Sequence, residues 1–271
     1  VPVVAIIGAV VLKTDIQSAQ NIAIGAIFGS PFMLSTLALF LLGLVLILKK
    51  RKELKVNYKN SLREYKYFLC VYLIAIMASF FPYKKVFAII LVLFYFVFVY
   101  RTIIKSKESF IFQELEELIF YKFFKKKLVL LQIIVSIVLL VLSSHVFIGE
   151  IKYFSYILNI NPMILSLFIT PFATELPECV NSIIWLNKDK DELALSNVLG
   201  AIVFQGAIPM TLGIILTPWN LDKFLLINSL ILIICSLFFI ITTALSKKIT
   251  LIQLIIPGIL YFSFIFYTIF F

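Results

Sequence analysis

The sequence predicts an all-α polytopic membrane protein, and three observations carry that expectation. Of its 271 residues 62% are hydrophobic and only 14% charged, too apolar a balance for a soluble domain of this size. The apolar residues fall in runs near the roughly 20 residues that a helix needs to cross a bilayer. Finally, nineteen of the 24 Lys and Arg residues sit in loops that alternate onto one side of the membrane. The net charge of +10 therefore reads as a topology signal, and no nucleic-acid partner is expected.

The first apolar run ends near residue 12. Such a run covers about 18 Å of a core about 30 Å thick, so it is expected to be the tail of a span whose earlier part is missing. No basic region precedes it, which disfavours a signal peptide. Residues 13–21 form a polar connection and 22–48 a full span. Gly25, Gly29 and Ser30 stand at small-xxx-small spacing, which lets another helix approach closely, and Pro31 should bend the rod. Residues 49–66 form a basic, topogenic loop facing lipid headgroups. Two shorter spans, 67–81 and 86–99, flank a tight turn.

Residues 101–127 are the longest polar stretch, with a helix expected over 109–126. Glu114, Glu116 and Glu117 lie there among Leu and Phe, which fits a helix on the membrane surface or a plain linker equally well. A span at 128–148 and a short connection at 149–161 follow. Next come a Glu-bearing span ending near 186, a turn at 187–192, and spans at 193–217, 224–244 and 249–271. The chain thus holds about eight full transmembrane helices and one partial, divided into a first half (1–100), a linker (101–127) and a second half (128–271). The basic loops at 49–66, 101–127, 187–192 and 246–248 share one side, expected to be cytoplasmic, which puts the C-terminus outside the cell membrane.

The chemistry concentrates at 168–205. Glu175 and Glu178 are the only charges from about 157 to 186. A carboxylate at the bilayer centre costs on the order of 2.5 to 3.5 kcal/mol, so something must compensate. At i and i+3 the two share a helical face. Pro177 withholds an N–H from the Ala173 carbonyl and Pro171 from that of Leu167, so the span should be broken or kinked there, freeing backbone oxygens beside two carboxylates and the Thr174 hydroxyl. Oxygen-only ligands suit hard cations. Asn181 and Ser182 lie within a turn of Glu178, placed either to orient it or to pack, and Asn197 falls on the next span. Cys70, Cys179 and Cys235 have no metal or disulfide spacing, and the lone His145 reads as a locally bonded imidazole near a span end.

Residues 22–32 resemble 193–203 at an offset of 171, pairing Ala23 with Ala194 and Gly29 with Gly200. These spans cross the membrane in opposite directions, as an inverted transporter repeat requires. ATELPE at Ala173 to Glu178, followed by LSNVLGAIVFQ at Leu195 to Gln205, resembles the second alpha repeat of the cation/calcium exchanger superfamily, the sodium/calcium exchanger membrane region. IGAIFGSPFML at Ile24 to Leu34 resembles the later half of its first repeat.

The resemblance implies an inverted-repeat exchanger fold of ten helices in the intact protein, in a divergent prokaryotic member lacking its N-terminal part. It implies that Glu178 is the ion-binding acid and that Thr174, Ser30 and the Ala173 backbone carbonyl offer oxygens. Glu175 stands where the family has Ser, Gln205 where it has Asn or Asp, Ala201 where it has a ligating Ser, and Leu34 where it has a polar residue.

The function so implied is secondary active cation antiport by alternating access at a midplane site. The transported ion would be Ca2+, Na+ or H+, with no cofactor. A cation/proton antiporter carrying protons on the Glu pair is an alternative, since one carboxylate cannot hold a proton and a cation together. A non-transporting membrane subunit is another. The spans show no HExxH or Asp-rich motif, so no enzyme is expected.

Overall fold

The computed structural model describes residues 16–106 and 129–270. The predicted tail of a span at 1–12 and the linker helix at 109–126 lie outside them. Among the described residues the chain is helical almost throughout. Six segments are long and apolar enough to cross a membrane: Ile16–Leu48, Lys84–Ile104, Pro162–Asn187, Asp191–Leu216, Lys223–Ser246 and Leu251–Thr268.

In chain order the helices are α1 (Ile16–Met33), α2 (Leu39–Leu48), α3 (Tyr58–Met77), α4 (Lys84–Ser106), α5 (Val129–Leu158), α6 (Pro162–Asn187), α7 (Asp191–Leu216), α8 (Lys223–Ser246) and α9 (Leu251–Phe270). A π-helical segment, Leu34–Ala38, joins α1 to α2 into one rod. It follows Pro31, which cannot donate to the helical ladder. The Ser35 hydroxyl donates to the Pro31 carbonyl at 2.6 Å, recovering one acceptor in the disturbed turn.

Several helices outrun their apolar runs. The span expected at 67–81 is the later part of α3, whose first turns carry Lys59, Arg63, Glu64 and Lys66. Its start is set by Asn57, whose side chain accepts from the Lys59 N–H. The connection expected at 149–161 is largely helical, because α5 continues to Leu158. Hydropathy marks where a helix leaves hydrocarbon, and backbone hydrogen bonding carries it further. Asn161 then caps α6, with Pro162 in the first turn where its missing N–H costs nothing.

The α6 helix runs unbroken through Pro171 and Pro177, so the expected break does not occur. Close packing on α1 holds it in shape. A Cβ at Gly25 would collide with the Met163 carbonyl oxygen, and one at Gly29 with that of Leu167, so the two backbones meet through these glycines. Ser166 ties the same interface by donating to the Ile22 carbonyl at 2.7 Å. Residues 25 and 29 meet residues 163 and 167 in rising order, so α1 and α6 run parallel. The start of α1 meets the end of α7 instead, where Gln20 donates to the Leu216 carbonyl at 3.1 Å. The matched segments on α1 and α7 thus cross in opposite senses, as the inverted repeat requires.

The described basic loops at 49–66, 187–192 and 246–248 gather on one face. Strands β1 (Glu53–Leu54) and β2 (Ile249–Thr250) pair antiparallel, bringing the 49–66 loop to the α8–α9 turn. Lys49 reaches Asp189 at 2.6 Å and also donates to the Leu186 and Asn187 carbonyls at the end of α6, where the helix dipole favours a cation. Arg51 pairs with both oxygens of the buried Asp191, and Oδ2 also accepts from the Lys55 N–H at 2.7 Å. On the opposite face Lys84 bonds the Pro218 carbonyl and Asn220. Part of the basic loop therefore clamps the turn between α6 and α7, which corrects the reading of the whole loop as facing headgroups. The clamp wins because acids at 189, 191 and 192 lie on the same face.

Trp219, in the connection between α7 and α8, is fully buried. Its indole donates to the Ala75 carbonyl of α3 at 2.9 Å and stacks on Phe28 of α1 at 5.2 Å, while Gly213 of α7 leaves it room.

Two substitutions, each with a comparison variant, test these constraints. Gly29→Ala sets a methyl against backbone that cannot yield, and should cost about 1 to 3 kcal/mol, while Gly149→Ala, which meets nothing within 4 Å, should cost nothing. Melting in detergent compares them. Asp191→Asn should lower stability by about 1.5 to 3 kcal/mol, the worth of hydrogen bonds to a charged group, in a denaturant titration that reads Glu192→Gln as the milder change.

Candidate functional site

Three helices supply the polar groups around the acidic pair: α6 brings Thr174, Glu175 and Glu178, α7 brings Asn197 and Gln205, and α1 brings Ser30. The α1–α6 crossing at Gly29 sets Ser30 one residue beyond the closest approach, and the α6–α7 hairpin sets Gln205 opposite Glu175.

Glu175 is 2% exposed, although it lies in an apolar helix. Its Oε1 accepts from the Gln205 amide at 2.8 Å and lies 2.9 Å from the Thr174 hydroxyl. The Ser30 hydroxyl reaches the same carboxylate, so the first and second repeats meet there. Burial of such a group is tolerated only because it is hydrogen-bonded from several sides. Glu178, one helical turn along the same face, is half-buried. Its Oε2 is buried without a hydrogen-bond partner among the described residues. Its charge is close enough to act on Glu175.

Thr174 has one hydroxyl proton and two acceptors, the Glu175 carboxylate and the Thr170 carbonyl at 3.2 Å. It can donate to only one of them at a time. If Thr174 donates to Thr170, the contact to Glu175 requires a proton on the carboxyl. The pair of bonds is therefore sensitive to whether Glu175 is charged.

Asn197 holds α6 to α7. Its amide donates to the Glu178 carbonyl and to the Ser182 hydroxyl, both at 3.0 Å. Asn197 thus touches the backbone of the acidic turn, and Ser182 holds Asn197. Ala173 is exposed, while Leu34 is buried in the apolar core and Ala201 packs at its edge. The pair Glu175 and Glu178 has no third Asp, Glu, His or Cys completing a metal-holding cluster among the described residues.

Two further residues escaped the sequence reading. Ser166 and Thr170 are buried and lie 2.8 Å apart, hydroxyl to hydroxyl. With Thr174 they form a stripe of hydroxyls at i, i+4 and i+8 on one face of α6, leading from Ile22 to Glu175. Their spacing was the available signal, and it was hidden because Ser and Thr count as neutral in a hydropathy reading.

The fold resembles one already solved. The crystal structure of the H+/Ca2+ exchanger CAX superposes with a TM-score of 0.69 at 19% sequence identity, covering 98% of this chain and 70% of that one. No curated protein sequence matches the chain. The sequence pattern of the sodium/calcium exchanger protein family, however, matches residues 3–104 and 128–270, which is most of the chain. With helices, inverted repeat and family pattern in agreement, the chain belongs to the sodium/calcium exchanger protein family.

Proposed function

We propose that the protein is a secondary active cation antiporter working by alternating access, with a cation site of oxygen ligands where α1, α6 and α7 meet near the midplane. The observation that carries this reading is the buried Glu175, hydrogen-bonded by Gln205 and faced by Ser30 of the other repeat, beside a Glu178 carboxylate oxygen that has no partner among the described residues. In hydrocarbon such an arrangement is costly unless a positive charge visits it. The ligands would be Glu178, Glu175, Thr174, Gln205, Ser30 and the Ala173 carbonyl. Gln205 now presents its amide N–H to Glu175; a cation there would call for the amide to turn its oxygen inward.

Two ionised carboxylates carry two negative charges. One divalent cation or two protons leave the site neutral, and a neutral site crosses the low-dielectric core at least cost. Exchange of Ca2+ for H+ on the Glu pair follows, and the shared Thr174 hydroxyl, which responds to the charge on Glu175, favours it over exchange for Na+. The structural neighbour is titled an H+/Ca2+ exchanger, in keeping with this pairing. Residues 1–100 and 128–271 would be the two inverted halves and 101–127 the cytoplasmic linker, in a multi-pass cell-membrane protein with its basic loops inside and its C-terminus outside. No catalytic step and no cofactor enter this scheme.

Flux in proteoliposomes of the full chain tests it. Calcium uptake should follow an imposed pH gradient more strongly than a Na+ gradient, and Glu178→Gln and Glu175→Gln should each abolish it while leaving the protein folded. No cation movement under either gradient would leave a non-transporting subunit as the better description. Asn197→Ala, which frees the Glu178 carbonyl and Ser182, should raise the half-saturating cation concentration about tenfold, the usual penalty for losing a group that orients a ligand.

A further inference from the structure

On the face that carries the basic loops, α3 and α4 line an open cavity of about 450 Å³ away from the acidic site. Four cations line it: Lys59, Arg63 and Lys66 from the first turns of α3, and Arg101 from the end of α4. At 59, 63 and 66 the α3 residues form one stripe down the helix. Among the described residues none of the four makes an ion pair, unlike Lys49 and Arg51, which are spent on the acids of the α6–α7 turn. Arg101 donates to the Tyr67 hydroxyl at 3.1 Å, which steadies its guanidinium at the cavity wall with other N–H groups left to donate. The deeper wall is apolar, made by Leu62, Phe94 and Cys70. Cys70 lies about 16 Å along the α3 axis from Lys59. Phe96 and Val97 of α4 are also exposed.

We propose that this cavity is a binding site for an anionic phospholipid. The phosphodiester headgroup sits among Lys59, Arg63, Lys66 and Arg101, and one acyl chain descends past Cys70 and Phe94 along α4. Four cations gathered in one concavity, with only the buried Glu64 behind Arg63 to offset them and no ion pair among the described residues, call for an anion, since like charges at this spacing repel. The graded wall, cationic at the loop end and apolar toward the membrane, matches an amphiphile better than a free ion. Basic pockets between helices at a membrane face are suited to such headgroups.

Cys70 supplies the readout. It is exposed, whereas Cys179 and Cys235 are buried, so N-ethylmaleimide should alkylate it first in the full-length protein in detergent. Phosphatidylglycerol should slow that reaction at concentrations where phosphatidylcholine does not. Arg63→Gln and Lys66→Gln should each weaken the protection roughly fivefold, about the contribution of one basic side chain near an anionic surface, and Lys85→Gln on the opposite face should leave it unchanged. Retention of phosphatidylglycerol in native mass spectra should fall in the same order. The single variants keep the test usable if a multiple variant misfolds.

Equal protection by the two lipids, or protection unchanged in both basic variants, would overturn the proposal. So would inorganic phosphate that protects Cys70 as well as phosphatidylglycerol does, because the cavity would then be a site for free anions. A rise in Cys70 reactivity on changing Glu114, Glu116 and Glu117 to Gln, with no added protection by lipid, would show that the chain's own acidic stretch fills the cavity.

Discussion

The close passage of α1 over α6 is the constraint from which the rest of the site descends. Gly25 and Gly29 lie against the carbonyls of Met163 and Leu167, and no side chain separates the two backbones. The second of those carbonyls is one that Pro171 leaves without its helical donor. Only at this separation does Ser30 reach Glu175, and only then does α7, folded back from α6, bring Gln205 to the same carboxylate. Backbone-on-backbone packing through two glycines thus positions a polar site.

The matched glycines of the two repeats are not used alike. Gly29 is pressed on backbone, whereas a Cβ at Gly200 would meet nothing within 4 Å among the described residues. The same asymmetry holds for the site's polar groups on the matched helices, with the Asn197 and Gln205 amides on α7 and only the Ser30 hydroxyl on α1. An inverted repeat supplies two equivalent frameworks, and this chain loads the described part of them unequally. The polar network is correspondingly one-sided, running up α6 through Ser166, Thr170 and Thr174 to Glu175.

Much of this was legible in the residues. Intramembrane acids are conspicuous because their cost is high, and small residues at four-residue spacing announce a close helix contact. Loop charges told which turns share a face, and contacts between Lys49 and Asp189, between Glu53 and Lys248, and between Lys84 and Asn220 agree. What stayed hidden has physical causes. Apolar runs stop where hydrocarbon stops, so the polar first turns of α3 and the tail of α5 were invisible. A proline removes one hydrogen bond, which tertiary packing can bear, so α6 survives two of them. The clamp of Arg51 on Asp191 joins residues 140 apart, and no local pattern encodes that.

Trp219 has a consequence of another kind. The chain has two tryptophans, and this one is sealed from solvent where α1, α3 and α7 converge. Its indole is bonded to a main-chain oxygen and stacked on Phe28, so its emission belongs to a rigid, dry environment. Any rearrangement that parts those three helices must loosen that stack or admit water to it. The protein therefore contains its own optical gauge of helix separation, with no dye attached.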